Sequence, residues 1–360
     1  IGCEQKGTCD FCKYQKKCKD HCPECLCKPK IKGCNRIWAL NYDSKATDDD
    51  GSCILEDDVF KKISIIGLGL IGSSIALAIK KKKLAEITSG YSRSLKTRTI
   101  AKKLKLTSEI KNNISDCVKN SDLVIICTHL SSYKSIFKKI SPHLTKDAIV
   151  TDVGSAKESS ISEVESLIKK KINFVPAHPI AGTEKSGPKA GFAELFEERW
   201  CIITPLKGNK TRDINKVKTF WKKLGSKVET MTPSRHDKVM AVTSHLPHLI
   251  AYNMVHTAAD LENFTKSDIV KYSASGFRDF TRIASSDPTM WRDVILANRE
   301  AVLEMIGRFS EDLSAIQKSI RWEDGDSLYK LFSKTRIVRE KIIKAGQDTS
   351  DADFGRSKRK

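Results

Sequence analysis

Short apolar runs recur along the chain from about residue 62 onward, and segments with apolar residues at helical spacing lie between most of them. Such runs, bounded by turn residues, are typical of strands buried within a sheet. Strands that alternate with helices predict an α/β fold built on a mostly parallel, doubly wound sheet. The predicted strands are Lys62–Ile66, Glu86–Tyr91, Leu123–Thr128, Ala148–Val153, Asn173–Ala177 and Trp200–Thr204.

The pattern becomes predominantly helical after about Pro205. Residues 210–224 are amphipathic, and after a strand-like run at residues 227–231 the pair Thr232-Pro233 marks a helix start. Residues 235–261 form a nearly continuous helical pattern. Pro247 interrupts it, because proline removes a backbone hydrogen bond and kinks the helix axis.

The first predicted strand runs directly into a glycine-rich turn, and a helical run of small and apolar residues follows. In that context Gly67 allows the tight turn, Gly69 lets the backbone approach a pyrophosphate, and Gly72 lets helix and strand pack closely. The helix N-terminus adds free N–H groups and a partial positive charge. A glycine pattern alone is weak evidence, but with its flanking elements it predicts a dinucleotide-binding turn made of Gly67, Leu68, Gly69, Leu70, Ile71 and Gly72.

The second predicted strand ends without the acidic residue that binds the ribose hydroxyls in many NAD enzymes. Ser92, Arg93 and Ser94 lie there instead, and they can hold the extra phosphate of NADP through charge-assisted hydrogen bonds. The sequence therefore favours NADP over NAD as the cofactor. NAD stays open, because the rule has exceptions.

His178 directly follows the apolar run at residues 172–177 and is fixed by Pro179. A rigid histidine at a strand exit suits proton transfer near neutral pH, although a histidine that merely caps a strand end shows the same pattern. Thr128, the segment Asp152–Ser155 and His178 all lie at or just past the ends of predicted strands. Doubly wound sheets bind ligands at the carboxyl ends of their strands, so these residues are predicted to share one crevice.

Polar residues in the helical half are further candidates. His245 and His248 flank the proline of the interrupted helix, which either turns them toward a cavity or leaves them on the surface. Arg278 and Arg282 lie four residues apart and would share a helical face, where guanidinium groups can bind carboxylates. The alternative is that both arginines merely pair with Asp279 and neighbouring acids.

Five segments, in order, resemble motifs of the prephenate and arogenate (cyclohexadienyl) dehydrogenases of tyrosine biosynthesis, particularly those of alphaproteobacteria. The resemblance covers roughly residues 60–355 and rests on Gly67–Gly72, Thr151–Lys157, His178–Gly187, Ser244–His248 and Gly276–Asp293. It implies a Rossmann-type dinucleotide-binding domain followed by an all-α domain that forms a homodimer. It also implies oxidative decarboxylation: hydride leaves the ring carbon that bears the hydroxyl, the ring carboxylate departs as carbon dioxide, and the ring becomes aromatic.

The resemblance also implies individual roles. His178 accepts the proton of the substrate hydroxyl, Ser155 orients that hydroxyl, and Arg282 binds a substrate carboxylate, as a dianionic substrate requires. Arogenate carries an amine where prephenate has a keto group, and His248 is the candidate for distinguishing them. The implied pocket also contains Thr183, Glu184, His245, Asp279 and Trp291, with Glu184 and Asp279 tuning its entrance. The predicted cofactor contacts beyond the glycine turn are Ser92, Arg93, Ser94, Thr128 and Ser155.

The chain has 360 residues and a formal net charge of +20, which invites a nucleic-acid interpretation. However, the lysines are scattered, and no basic motif with interleaved aromatic residues accompanies them. We interpret the charge as a solvated, lysine-rich surface that also favours an anionic substrate, and we expect no nucleic-acid partner. No stretch approaches the roughly 18 consecutive apolar residues of a membrane span, so no membrane partner is predicted. The enzyme that the resemblance implies belongs in the cytoplasm.

Residues 1–58 hold nine of the twelve cysteines and lie outside the resemblance. They are compatible with a tetrahedral zinc site, whereas disulfides would suit a secreted module; the candidate zinc ligands are Cys9, Cys12, Cys22 and Cys25. No metal is predicted in the enzyme itself. Because the chain begins with Ile1 and Val59 directly precedes the resemblance, translation could start at Val59. We therefore expect residues 1–58 to be dispensable for activity and absent from the natural protein.

The predicted domains are a cysteine-rich leader at 1–58, a dinucleotide-binding domain at 59–206, a helical substrate and dimerisation domain at 207–348, and a basic tail at 349–360. Two other functions stay open at this stage. One is a dehydrogenase fused to a cysteine-rich binding module. The other is an NAD(P)-dependent dehydrogenase of a β-hydroxy acid or an imine, which would usually employ a lysine or aspartate on a long helix, and no such residue matches better than His178.

Overall fold

The computed structural model describes residues 31–33, 35, 42–49, 60–266 and 270–344. The chain divides into two units, Ile1–Phe60 and Lys61–Lys360. In the first unit, the described residues include two short parallel strands, β1 (Lys32–Gly33) and β2 (Asp48–Asp49). The cysteines predicted to bind zinc lie outside the described residues.

A six-stranded sheet forms the centre of the α/β region. Its strands are β3 (Phe60–Ile66), β4 (Ala85–Tyr91), β5 (Glu109–Ile110), β6 (Leu123–Ile126), β7 (Ile149–Asp152) and β8 (Asn173–Phe174). The order across the sheet is β5-β4-β3-β6-β7-β8, and β3 pairs with β6, β6 with β7, β7 with β8 and β4 with β5 in parallel. The order reverses between β3 and β6, which is where doubly wound sheets bind dinucleotides. The predicted fold class is confirmed.

Helices connect these strands and cover the sheet. They are α1 (Leu70–Lys82), α2 (Leu95–Lys103), α3 (Ile114–Val118), α4 (Tyr133–Ile140) and α5 (Glu158–Lys171). The apolar residues of α4 recur at helical spacing, so Tyr133, Phe137 and Ile140 are all buried on one face. The Phe137 ring packs edge-on against Phe174 of β8, with ring centroids 5.0 Å apart. The core therefore lies between the sheet and this helical layer.

A second sheet of three strands was not anticipated by the sequence. It contains β9 (Ala177–Pro179), β10 (Trp200–Ile203) and β11 (Lys227–Thr230), with α6 (Thr211–Lys223) between the last two. β10 pairs with β11 in parallel and with β9 antiparallel. The prediction of one strand over residues 173–177 and of a single sheet was wrong. Pro176 cannot donate to a ladder, and the chain leaves β8 before it and re-forms as β9 against β10.

The helical region begins with α7 (Pro233–Met240), a π-helical turn (Ala241–His245) and α8 (Leu246–Thr265). Thr232 caps α7, because its side chain accepts a hydrogen bond from the Arg235 N–H at 3.3 Å. Pro247 lies in the first turn of α8, where a missing N–H costs little. The predicted interruption is therefore present, as a π-turn just before the proline.

Four further helices complete the described chain: α9 (Ser275–Thr281), α10 (Pro288–Ala297), α11 (Arg299–Arg321) and α12 (Gly325–Lys344). Asp287 caps α10 as predicted, since its carboxylate accepts a hydrogen bond from the Met290 N–H at 2.8 Å. Pro288 follows at the first helical position. None of the described helices combines the length and the apolar character needed to cross a membrane.

Candidate active site

In the glycine-rich turn between β3 and α1, two positions can be occupied only by glycine. Gly67 has a φ of +98°, and a Cβ atom there would lie 2.3 Å from the Cys127 carbonyl oxygen. A Cβ atom on Gly72 would lie 1.9 Å from the Gly67 carbonyl oxygen. The backbone of α1 therefore packs directly on the turn, as the sequence predicted.

The N-terminus of α1 has the features of a phosphate site. Gly69 is its N-cap residue, no side chain caps the helix, and its first turn holds no acidic residue. A Cβ atom on Gly69 would meet no atom within 4 Å, so the space beside this backbone is open. Free N–H groups, the helix dipole and open space together fit the pyrophosphate of a dinucleotide. Thr128 is adjacent, because a Cβ atom on Gly67 would lie 3.0 Å from its methyl group.

Alanine at Gly69 and alanine at Gly72 should have opposite effects. Gly69→Ala adds its methyl group to open space, so we expect unchanged thermal stability but a cofactor Kd raised by about tenfold, or roughly 1.4 kcal/mol. Gly72→Ala forces the helix away from the turn and should destabilise the fold by about 1–3 kcal/mol or more. Thermal unfolding and cofactor titration of both variants test this pair. Weakened folding in Gly69→Ala with intact cofactor binding would contradict it.

The loop after β4 carries the predicted cofactor-selecting residues. Ser94 caps α2 by accepting a hydrogen bond from the Thr97 N–H at 3.2 Å. Arg98 lies in α2 and donates through Nη1 to the carbonyl oxygens of Ser92 at 2.6 Å and Arg93 at 3.0 Å. The loop is thereby fixed, and the Arg93 side chain is exposed at its tip. Arg98 was not singled out from the sequence, since its role depends on the fold of this loop.

Asp152, at the end of β7, joins two backbone segments and a side chain of α4. Its side chain is completely buried, and it accepts hydrogen bonds from the N–H groups of Gly154 at 3.0 Å and Ala177 at 3.0 Å and from the Tyr133 hydroxyl at 2.8 Å. Lys157, also completely buried, donates to Asp152 at 2.7 Å and to the Ala177 carbonyl oxygen at 2.5 Å. The turn that carries Ser155 and the strand that carries His178 are therefore held by one ion pair.

His178 lies in β9, directly after the residue that Asp152 and Lys157 hold. Its imidazole is 9% exposed, and its Nδ1 lies 2.8 Å from Nε2 of His236 on α7. Burial, together with the charges of His236 and Lys157, lowers the pKa of His178 well below its usual value. A neutral imidazole at physiological pH can accept a proton, which a permanently charged one cannot.

His236 is in turn bonded to Asp237. Its Nδ1 lies 2.7 Å from Asp237 Oδ1. The same carboxylate accepts hydrogen bonds from the backbone N–H groups of Lys157 and Glu158 at 2.8 Å each, at the start of α5. His236 and Asp237 were not singled out from the sequence, because their significance depends on a partner 58 residues away.

His245, at the end of the π-turn, is completely buried. Its Nδ1 lies 3.0 Å from Nδ2 of Asn298, whereas its Nε2 has no hydrogen-bond partner among the described residues. Burial lowers the pKa of His245 to about 4, and the nearby Ser155 backbone opposes that shift. The sequence left open whether this histidine lies on the surface, and the structure places it inside, beside Ser155.

Trp291 on α10 lies between the two histidines that flank Pro247. Its ring stacks on His248 with centroids 3.6 Å apart and meets His245 edge-on at 6.1 Å. His248 is half-buried, and its Nδ1–H donates to the Ser244 carbonyl oxygen at 2.8 Å. Burial lowers the pKa of His248, and the charge of Arg282 lowers it further. Arg282 is therefore close to this aromatic pair.

Arg282 follows α9 and donates to Glu184 at 2.9 Å. This contact joins the loop after β9 to the helical region. Thr183, next to Glu184, accepts a hydrogen bond from the Lys185 N–H at 3.2 Å. Asp279 lies half-buried in α9, three residues before Arg282. Arg282 thus pairs with an acid 98 residues away in the chain.

The contacts join most of the predicted substrate residues into one set. Hydrogen bonds and ring contacts link His178, His236, Asp237, Asn298, His245, Trp291 and His248. The Arg282–Glu184 ion pair is close enough for the charge of Arg282 to lower the pKa of His248. Gly67–Gly72 and Thr128, the predicted cofactor residues, lie next to each other at the ends of β3 and β6. Ser92–Ser94 lie apart from the substrate set, on the loop after β4, as expected for residues that would contact the far end of a dinucleotide.

Two family models match the chain. Residues 75–230 match the prephenate dehydrogenase nucleotide-binding domain, and residues 232–334 match the prephenate dehydrogenase dimerization domain. The chain is 39% identical over 281 residues to the cyclohexadienyl dehydrogenase of Zymomonas mobilis, a match that spans 78% of this chain and 96% of that protein. It is 32% identical over 279 residues to the prephenate dehydrogenase of Bacillus subtilis, spanning 77% of this chain and 75% of that one.

Solved structures show the same likeness. The prephenate dehydrogenase of Aquifex aeolicus, in complex with hydroxyphenyl propionate and NAD+, matches with a TM-score of 0.73 at 35% identity and covers 78% of this chain and 98% of that one. The arogenate dehydrogenase of Synechocystis matches with a TM-score of 0.65 at 26% identity and covers 78% and 99%.

Proposed function

The chain belongs to the prephenate dehydrogenase family, and from that premise we propose that it oxidises and decarboxylates prephenate, arogenate or both with a nicotinamide dinucleotide. The observation that carries this proposal is the position of His178. It is a buried imidazole within β9, its Nδ1 lies 2.8 Å from Nε2 of His236, and its lowered pKa keeps it neutral at physiological pH. The proposed product is 4-hydroxyphenylpyruvate from prephenate or tyrosine from arogenate.

In this reaction His178 acts on the substrate hydroxyl. When bound, the dinucleotide supplies the nicotinamide ring that takes up the hydride. As the hydroxyl-bearing carbon is oxidised, its O–H becomes acidic, and Nε2 of His178 accepts that proton. Loss of carbon dioxide then leaves its electron pair in the ring, and the aromatised oxygen takes the proton back from His178. The proton is therefore held by His178 only during the reaction, and none is released overall.

The glycine turn and its neighbours would hold the cofactor. The free N–H groups at the start of α1 suit the pyrophosphate, and Thr128 and Ser155 lie at the ends of the neighbouring strands, where the nicotinamide half of a dinucleotide is expected. We propose that Ser155 also orients the substrate hydroxyl, as the adjacent His245 and the Asp152–Lys157 pair fix its turn. Leu68, Leu70 and Ile71 are proposed to contact the cofactor through their backbone.

Arg282 is proposed to bind a substrate carboxylate, with Glu184 occupying it in the absence of substrate. His248, stacked on Trp291, would contact the substrate side chain and is the candidate for distinguishing the keto acid from the amino acid. Thr183 and Asp279 lie beside the ion pair and would border the entrance. The buried His245 would line the pocket next to Ser155.

The direct test is an assay of the purified protein with prephenate and with arogenate, each with NAD and with NADP. Formation of the reduced cofactor is followed by its ultraviolet absorbance, and carbon dioxide release is measured in parallel. Reduced cofactor and carbon dioxide are expected in equal amounts. Reduced cofactor without carbon dioxide would indicate a different alcohol dehydrogenation, and no turnover with either substrate would refute the proposal.

Arg282→Ala should raise the substrate KM much more than it lowers kcat. A hydrogen bond to a charged group contributes about 1.5–3 kcal/mol, so a tenfold or larger rise in KM is expected. Arg308→Ala is the matched control, because Arg308 is exposed on α11 and pairs with Glu304 at 2.9 Å. An unchanged KM in Arg282→Ala would remove this arginine from the substrate site.

NADP is proposed as the preferred cofactor, because the fixed loop after β4 presents Arg93 with Ser92 and Ser94 and no carboxylate. Arg93→Ala should then lower kcat/KM with NADP by about tenfold, or roughly 1.4 kcal/mol, and leave the value with NAD unchanged as an internal control. Tenfold better efficiency with NAD in the wild type, unaffected by Arg93→Ala, would reverse the preference.

We also propose that the protein forms a homodimer and is located in the cytoplasm. Residues 232–334 match the dimerization-domain model, and α11 and α12 expose large apolar side chains, among them Leu313, Ile320, Tyr329, Phe332 and Ile337. Such exposure is typical of a surface that another chain covers. The cytoplasmic location agrees with the need for a diffusible nicotinamide cofactor. The domain boundaries at residues 59, 207 and 349 and the dispensability of residues 1–58 stay predictions.

A further inference from the structure

We propose that His236 and Asp237 are positioning residues that hold His178 in the tautomer protonated at Nδ1 and stabilise the imidazolium that forms during turnover. This inference rests on the proposed role of His178 as the base. Neither residue belongs to the set that the sequence predicted. Both lie on α7, and His236 contacts the His178 side chain.

The hydrogen bonds determine the tautomer of His236 first and, through it, the tautomer of His178. An ionised carboxylate only accepts hydrogen bonds, so the 2.7 Å contact with Asp237 requires a proton on Nδ1 of His236. A neutral His236 then has a lone pair on Nε2, and the 2.8 Å contact requires a proton on Nδ1 of His178. Nε2 of His178 is left with its lone pair, which is the form a base needs.

Asp237 is held firmly enough to act as the fixed end of this chain. Its carboxylate is almost completely buried and accepts the backbone N–H groups of Lys157 and Glu158, at the positive end of α5. Its own carbonyl oxygen accepts a hydrogen bond from Asn298 at 2.8 Å. The carboxylate therefore cannot rotate away from His236 without breaking several bonds.

The surroundings of His178 explain why a nearby anion is needed. The buried Lys157 and the rings of His236 and His245 face it, and each disfavours a positive charge on its imidazole. Asp152 is already neutralised by Lys157 at 2.7 Å. Among the described residues, Asp237 is the other buried carboxylate that contacts these side chains. Through His236 it offsets the positive charge that appears on His178 during turnover.

The first measurement is an ¹⁵N–¹H spectrum of the full chain labelled in histidine, at a pH where His178 is neutral, with His178→Asn used to assign its signals. We expect His178 to carry its proton on Nδ1, whereas free histidine mostly carries it on Nε2. A proton on Nε2 of His178 in the wild type would overturn the proposal directly. This measurement needs no variant of His236 that folds.

The second measurement compares His236→Leu, which removes the acceptor, with His236→Gln, which offers a side-chain oxygen in its place. We expect kcat to fall by roughly tenfold or more in His236→Leu, a part of the usual contribution of a general base, with substrate KM and cofactor Kd changed less than threefold. His236→Gln should recover most of that loss. Wild-type turnover in His236→Leu would overturn the proposal, and His143→Leu, on an exposed turn, is the control.

The double variant separates this proposal from the proposed function. If His236 acts through His178, then adding His236→Leu to His178→Asn should cause no further loss. A full additional loss would show that His236 acts independently and would overturn the proposal. Wild-type turnover in His178→Asn itself would instead refute the assignment of the base, on which the proposed function depends.

Discussion

Replacing His178 with asparagine is expected to slow turnover by about a hundredfold or more, the usual contribution of a general base, while the substrate KM changes far less. Asparagine fills similar space and keeps polar atoms in the cavity, but it cannot take up a proton at neutral pH. The proposed contact with a substrate carboxylate lies elsewhere, at Arg282, which pairs with Glu184 in the structure. Initial-rate and single-turnover measurements with saturating cofactor distinguish the loss of chemistry from the loss of binding.

The control is His256→Asn, because His256 is exposed on α8 and contacts Asp260 at 3.3 Å. It should retain wild-type kinetics. The pH dependence provides a second check. Because burial lowers the pKa of His178, the free enzyme should keep its base unprotonated well below pH 6.5, the unperturbed value of a histidine. The acid limb of kcat/KM is therefore expected below pH 6.5, and it should be absent from the residual activity of His178→Asn.

The features that the sequence predicted correctly are mostly local. The glycine turn, the helix starts at Thr232 and Asp287, and the position of His178 after an apolar run each depend on residues adjacent in the chain. The convergence of strand ends followed from a general property of parallel sheets. Local signals combined with one topological rule were therefore enough for the fold class, whereas most of the candidate substrate residues came from the family resemblance and stay predictions.

The features that were missed depend on long-range pairing. The second sheet requires β9 to turn back against β10, which neither strand's own pattern determines. His236 becomes important only when α7 brings it to a histidine 58 residues earlier. Arg282 pairs with Glu184, 98 residues away. A pattern in one chain segment cannot specify such partners, because it contains no information on what packs against it.

Lys157 was predicted in part: its place in the chain was noted from the sequence, but its burial was missed. The sequence analysis placed it at the end of Thr151–Lys157, one of the segments that carry the family resemblance, yet nothing local indicated that this lysine would be completely buried, since lysines almost always reach solvent. In the structure its ammonium group is held between Asp152 and the Ala177 carbonyl oxygen. Its burial follows from the position of the turn that carries Ser155, beneath the strand that carries His178.

Lys157→Met is therefore expected to be the most destabilising single substitution among those considered. Methionine fills much of the same volume but leaves the Asp152 carboxylate buried without its counter-charge, and breaking such a pair typically costs about 3–5 kcal/mol. We expect the midpoint of urea unfolding to fall by the corresponding amount with an unchanged m-value. Lys81→Met is the control: Lys81 pairs with Glu194 at 2.6 Å on the surface, and its loss should not be measurable.

A double variant identifies the cause of the loss. Adding Asp152→Asn to Lys157→Met removes the uncompensated charge, so part of the lost stability should return even though two native groups are now missing. Asp152→Asn alone should be destabilising, because it leaves the Lys157 ammonium group buried and unpaired. If Lys157→Met unfolds at the wild-type midpoint, then the three neutral donors to Asp152 suffice to hold its charge, and the ion pair is not what joins Ser155 and His178 into one site.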